Sequence, residues 1–292
     1  MQTQVRFPRL AILGVGYIGG SAGLAARRAG IVGEIVGYDP SPAATQAAIR
    51  MGILDAVAAS PALAVVGASV VLLAAPVRSM HDLMHAMAPA LVPGTSVFDV
   101  GSVKAGIVAA AEAVLPAGCF VGCHPMAGAE FCGVEAADAN IFTGRVCFIC
   151  PSRSAHESAV VAASDFWRGL GCQTATIEPE THDRLMAAQS HLPHVAAYAL
   201  AGALAPAMSF LEATTTAASP TTSLRDTTRI AASGPEVWRD ILLANAAHVL
   251  PLIQELETRV AEIKSAVADG DGVTLERVLS AAQACRKRLV RE

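Results

Sequence analysis

A chain of 292 residues that is 53% hydrophobic is long enough for two domains and can bury a sizeable core. Its formal net charge of −4, with no basic run, argues against nucleic acid as a partner. Two uncharged stretches, 56–77 and 195–211, do not read as membrane spans. Pro61, Gly67 and Pro76 interrupt the first, and the second holds Pro206 and falls short of the roughly twenty residues a span requires.

The first residues carry no signal-peptide apolar region, because a strand and a glycine loop follow at once. Apolar runs of strand length at 10–13, 35–38, 70–74, 96–100, 120–123 and 146–149 alternate with longer alanine-rich helical segments. That alternation predicts an α/β chain with a Rossmann-type, doubly wound, mostly parallel sheet. Residues 56–77 read as a helix followed by the third of those strands. A helix over 155–170 and an edge strand over 173–177 extend the pattern. After Pro179 the strand signal stops, and a helix over 180–190 opens an all-helical half. Leu252, Leu256, Val260, Ile263 and Val267 make one apolar helical stripe, which Asp269-Gly270-Asp271-Gly272 breaks. Val278, Leu279, Ala282 and Leu289 continue on a second helix. The expected domains are a nucleotide-binding domain over 1–178 and a helical domain over 179–292.

The seven cysteines are scattered, and Cys147 and Cys150 form a C-x-x-C inside an apolar strand-like run. They read as core thiols, and a cytoplasmic protein in a reducing compartment is expected.

Gly14-Val15-Gly16-Tyr17-Ile18-Gly19 follows a strand and opens a helix, the context that makes a G-x-G-x-x-G a dinucleotide signature. Gly14 permits the tight turn, Gly16 admits a pyrophosphate to the backbone amides, and Gly19 allows close helix–strand packing. Gly14, Gly16, Tyr17, Ile18 and Gly19 are therefore the expected phosphate site, at a helix N-terminus. Asp39, twenty residues after Gly19, is placed to hydrogen-bond a ribose 2′-hydroxyl and to repel a 2′-phosphate. No arginine follows it closely, so NAD is the expected cofactor rather than NADP.

Two further motifs, Asp99-Val100-Gly101-Ser102-Val103-Lys104 and Gly122-Cys123-His124-Pro125-Met126-Ala127-Gly128, put Ser102 and His124 at the exits of apolar strands. Ligands of open α/β sheets collect at those carboxyl ends. Ser102 is also a candidate cap for the helix that follows, and Lys104 reads as a stabiliser of its loop. Ser190 and His194 stand four apart on a helix and can share a face. His191 and His194 form an H-x-x-H without the glutamate or third ligand of a zinc site, so no metal is expected.

Taken with Ser190-His191-Leu192-Pro193-His194 and Arg225-Asp226-Thr227-Thr228-Arg229-Ile230-Ala231, these motifs occur in the order that resembles the prephenate and arogenate dehydrogenases, over nearly the whole chain. The resemblance implies hydride removal from C4 of a cyclohexadienol, loss of the ring carboxylate as CO2, and 4-hydroxyphenylpyruvate as the product from prephenate. It implies that His124 meets the 4-hydroxyl, where a neutral imidazole can accept the proton. Ser102 would align that hydroxyl or the nicotinamide amide. The resemblance assigns Arg229 to the ring carboxylate, which a guanidinium can grip with two hydrogen bonds, and sets His194 in the pocket wall with Ser190 beside it. Asp226 orients Arg229 or caps its helix. A homodimer built on the helical half is expected, with a small molecule as substrate.

Two departures bear on the pocket rim. Ala129 stands where relatives commonly carry a hydroxyl residue, and is followed by Glu130, which either attracts the amino group of arogenate or gates the pocket. Ser219-Pro220-Thr221-Thr222-Ser223-Leu224 replaces a glycine cluster. A β-hydroxyacid dehydrogenase would need a catalytic lysine in the second half, and no lysine lies between Lys104 and Lys264. A non-catalytic NAD-binding sensor would need neither His124 nor Arg229.

Overall fold

Side chains alternate between the two faces of a strand, and in this sheet both faces are apolar. The computed structural model describes residues 5–128, 132–207 and 221–290. Strands β1 (Phe7–Leu13), β2 (Val32–Tyr38), β3 (Ala56–Val57), β4 (Val70–Leu73), β5 (Ser96–Asp99), β6 (Phe120–Pro125), β7 (Val146–Pro151) and β8 (Gln173–Thr176) form one sheet. Its order is β3-β2-β1-β4-β5-β6-β7-β8. Neighbours run parallel except β6 and β7, which pair antiparallel with His124 opposite Phe148.

Helices α1 (Tyr17–Ala29), α2 (Pro42–Arg50), α3 (Pro61–Val65), α4 (Val77–Met87), α5 (Ala105–Val114) and α6 (Glu157–Gly169) connect the strands. Leu10 and Ile12 of β1 belong to one core with Ala22, Ala26, Ala47, Phe166 and Trp167, from α1, α2 and α6. Their neighbours Ala11 and Leu13 belong to a second core with Val65, Met80, Met84, Ile107 and Val108, from α3, α4 and α5. Each of these fully buried Leu or Ile side chains contributes about 1.5–3 kcal/mol. The sheet is thus doubly wound, as the sequence predicts. The segment read as a helix from residue 56 begins instead with the short strand β3, and its helix is only Pro61–Val65. A strand of two residues carries no periodicity to read.

Beyond β8 come α7 (Pro179–Met186), a π-helical turn at Ala187–His191, α8 (Leu192–Leu204), α9 (Thr222–Thr228), a 3-10 turn at Arg229–Ala232 and α10 (Pro235–Ala244). Trp238 and Ile241 of α10 join the second core. The chain divides into two compact units, Met1–Asn245 and Ala246–Glu292. The second unit is a hairpin of α11 (Ala246–Ala268) and α12 (Gly272–Leu289). Its turn lies at the predicted break: Gly270 takes φ +64°, and the Asp271 carboxylate accepts the Thr274 N–H at 3.0 Å to cap α12. Val260, Val267, Val273 and Leu289 are exposed. No described helix is long and apolar enough to cross a membrane. Cys147 and Cys150 are buried in β7, and burial pushes both thiols up, as core thiols require.

Candidate active site

The loop after β1 is shaped by contacts that admit only glycine. Gly14 has φ +101°, and a Cβ there would stand 2.6 Å from the backbone of Ala74. A Cβ on Gly19 would lie 2.1 Å from the Gly14 carbonyl oxygen. Above Gly16 the space is open, with nothing within 4 Å of an added Cβ. Gly16 caps α1 without a side-chain hydrogen bond, and no acidic residue occupies the first turn, which begins with Tyr17 and Ile18. The result is an uncrowded helix N-terminus with N–H groups and positive dipole facing open space, which fits a pyrophosphate. The Asp39 carboxylate accepts the Val15 N–H at 2.8 Å and the Ser41 N–H at 2.9 Å, tying the glycine loop to the end of β2. Its further lone pairs suit a ribose hydroxyl.

A second assembly lies under the loop between β5 and α5. The Lys104 ammonium, fully buried, donates to Asp99 and, at 2.8 Å, to the Cys123 carbonyl. Asp99 accepts from the Gly101 N–H at 2.8 Å and the Cys123 N–H at 2.9 Å. This pair clamps the strand end that presents His124, in keeping with the reading of Lys104 as a stabiliser of its loop. Ser102 sits half-buried in the loop it fixes. Ser102 does not cap α5. That cap comes from Asp183, whose carboxylate accepts the Lys104 N–H at 2.7 Å and the Ala105 N–H at 2.8 Å. Its two oxygens each meet one of the two free amides there.

His124 is the penultimate residue of β6, with 8% of its surface exposed. Its Nδ1 lies 2.9 Å from Nε2 of His182, and Nδ1 of His182 lies 2.8 Å from the Asp183 carboxylate. Burial, reinforced by the neighbouring His182 and Lys104, holds the His124 pKa well below the usual imidazole range, so the ring is neutral. Burial pushes the Asp183 carboxyl up, but the bonds from His182 and the Ala105 and Lys104 amides outweigh it and leave its pKa below the usual value. His182 and Asp183 have no counterpart in the sequence motifs.

His191 and His194 pack against Trp238. His194 stacks on its indole at 3.5 Å between ring centres, and its Nδ1 donates to the Ser190 carbonyl at 2.9 Å. Ser190 and His194 do meet, through the backbone. Burial lowers the His194 pKa, and the positive charge of Arg229 lowers it further. His191 points inward, edge-on to Trp238, with Nδ1 3.0 Å from Asn245 Nδ2, and burial lowers it to about 4. Arg229 opens its 3-10 turn on the exposed side. Asp226 pairs with Arg225 at 3.7 Å, and Thr221, not Asp226, caps α9. Glu130, Ala129, Ser219 and Pro220 lie outside the described residues. Among the described residues no three His, Cys, Asp or Glu side chains converge on a metal-sized site.

Residues 22–176 match the family described as prephenate dehydrogenase, nucleotide-binding domain, and residues 178–281 the one described as prephenate dehydrogenase, dimerization domain. The chain is 33% identical over 274 residues to the cyclohexadienyl dehydrogenase of Zymomonas mobilis, covering 91% of this chain and 90% of that one. It is 31% identical over 282 residues to the prephenate dehydrogenase of Bacillus subtilis, covering 96% and 76%. The crystal structure of prephenate dehydrogenase from A. aeolicus in complex with hydroxyphenyl propionate and NAD+ superposes with a TM-score of 0.84 at 30% identity, covering 97% and 98%.

Proposed function

The chain belongs to the prephenate dehydrogenase family, and on that premise we propose that it catalyses the NAD-dependent oxidative decarboxylation of prephenate to 4-hydroxyphenylpyruvate. Gly14, Gly16, Tyr17, Ile18 and Gly19 cradle the pyrophosphate of NAD, and Asp39 receives the ribose. Bound NAD supplies the acceptor for the hydride that leaves C4 of the substrate. His124, neutral and at the carboxyl end of β6, takes the proton of the 4-hydroxyl. That O–H bond breaks as the carbonyl forms. The C–CO2 bond then breaks, its electron pair passes through the ring to the carbonyl oxygen, and that oxygen takes up a proton as the ring becomes a phenol. Ser102 aligns the hydroxyl. Arg229 holds the ring carboxylate in place without accelerating its loss, because a grip that is tight in the ground state opposes departure as CO2. His194 and Ser190 line the pocket.

The observation that carries this reading is the buried, neutral His124, tied at Nδ1 and set above the clamp of Asp99 and Lys104. Similarity to the cyclohexadienyl dehydrogenase of Zymomonas mobilis supports a second reading, in which arogenate is also oxidised and Glu130 meets its amino group. The exposed apolar residues of α11 and α12, together with the match to a dimerization domain, support a homodimer. All seven thiols are free, which supports the cytoplasm as its compartment. The test is NADH formation by the purified chain with NAD and either prephenate or arogenate. Turnover of prephenate alone sustains the first reading, turnover of both sustains the second, and NAD binding without turnover of either refutes both.

A further inference from the structure

A base needs its lone pair on the nitrogen that faces the substrate, and a buried imidazole has no water to choose its tautomer. We propose that Asp183, acting through His182, fixes the tautomer of His124 so that Nε2 is its basic nitrogen. This inference rests on the reading of His124 as the proton acceptor. It adds two positioning residues that lie behind that base.

The argument follows donors and acceptors from Asp183 outward. Asp183 caps α5, where two backbone N–H groups and the helix dipole favour a carboxylate. A carboxylate only accepts, so the bond to His182 at 2.8 Å must carry the proton of His182 Nδ1. His182 is fully buried, packed edge-on to both Phe148 and His124. Carrying one proton and committing it to Asp183, the His182 ring has a bare Nε2, and that is the state the proposal requires. That nitrogen can only accept, so the 2.9 Å bond to His124 must carry the proton of His124 Nδ1. The lone pair of His124 is then on Nε2. When Nε2 takes the proton of the substrate hydroxyl, the new positive charge is met along the same chain by the negative charge of Asp183. A doubly protonated His182 would reverse the order and leave His124 Nε2 carrying hydrogen, unable to act.

The experiment is 15N NMR of histidine-labelled full-length protein near neutral pH, combined with kinetics of His182→Phe and His182→Gln. Wild type should show His124 protonated at Nδ1 and bare at Nε2. Phenylalanine fills the site beside Phe148 but offers no acceptor, so the His124 tautomer should redistribute and kcat should fall about 30- to 100-fold with KM nearly unchanged. Glutamine places a carbonyl oxygen as far from the backbone as His182 Nε2 and an amide toward Asp183, so it should recover about tenfold of that loss and restore the tautomer. A purely structural role would move stability or KM and would give no such recovery. The proposal is overturned if wild-type His124 carries its proton on Nε2, or if His182→Phe leaves kcat and tautomer unchanged. Should His182→Phe fail to fold, the wild-type spectrum and His182→Gln decide alone. Undiminished turnover by His124→Asn would instead sink the reading of His124 as the base, whatever the tautomer.

Discussion

Two buried polar assemblies meet beneath the loop of Ser102, and they differ in how their hydrogen bonds end. In the first, Lys104 and Asp99 spend their charges on each other and on the Gly101 and Cys123 backbone. Every bond closes within the fold, and nothing is directed at a ligand. In the second, Asp183, His182 and His124 run in line from the capped end of α5 to the carboxyl end of β6. That chain is anchored at one end by backbone amides and terminates at the other in an imidazole nitrogen. A charged pair that closes on itself builds a scaffold; a chain with one open end can move a proton. Burial alone does not separate the two, since all five side chains are buried.

The largest expected effect tests the open end. His124→Asn should lower kcat by about 10²- to 10⁴-fold, the usual range for loss of a general base. The melting temperature should stay close to wild type, because asparagine can still hydrogen-bond His182. A variant that unfolds but turns over normally when folded would reverse the contrast. Lys104→Met tests the closed pair. It leaves the Asp99 carboxylate buried without its cation, which should cost about 3–5 kcal/mol in urea unfolding. The double variant D99N/K104M should recover part of that loss, because both charges are then gone.

The closed pair was half legible in the sequence and the open chain was not. The strand runs and the glycine loop carry their own periodicity and spacing, so the doubly wound sheet and the position of His124 could be read directly. Lys104 could be read as structural because it stands two residues beyond Ser102 in one motif. His182 and Asp183 lie 58 and 79 residues from the groups they bind, His124 and Lys104. No local spacing encodes such a contact. A weaker signal was available: His182, Asp183 and Met186 share the buried face of α7, and two adjacent polar residues on an apolar helical face call for buried partners. The capping of α5 by Asp183 was missed for the same reason, since a cap is normally sought within a few residues of the helix it serves.

The open chain and its neighbours also predict a pH dependence. Buried His191 has a pKa of about 4, below the ordinary 6.5 of the unfolded chain. Between those values the unfolded state binds a proton that the folded state refuses. Stability is therefore fully present above about pH 6.5 and is lost as pH falls toward about 4, by roughly 3 kcal/mol. Burial lowers His124 as well and deepens the loss. Urea midpoints measured from pH 7.5 down to pH 4.5 should fall steadily. A flat profile across that window would mean that these imidazoles are already charged in the fold.

The smallest effect sharpens where the open chain stops. Asn245 donates through one amide nitrogen to the Asp183 carbonyl at 2.8 Å and to His191 Nδ1 at 3.0 Å. The carbonyl keeps the Ala187 N–H as a partner, so Asn245→Ala orphans only the His191 nitrogen. The expected loss is about 1–2 kcal/mol in urea unfolding, the low end for one buried unsatisfied group. Neither atom belongs to the carboxylate that holds His182, so kcat should stay near wild type while His182→Phe lowers it. If Asn245→Ala lowers kcat as far as His182→Phe does, the chain extends through the Asp183 backbone to His191, and the boundary between scaffold and proton path lies one helix further out.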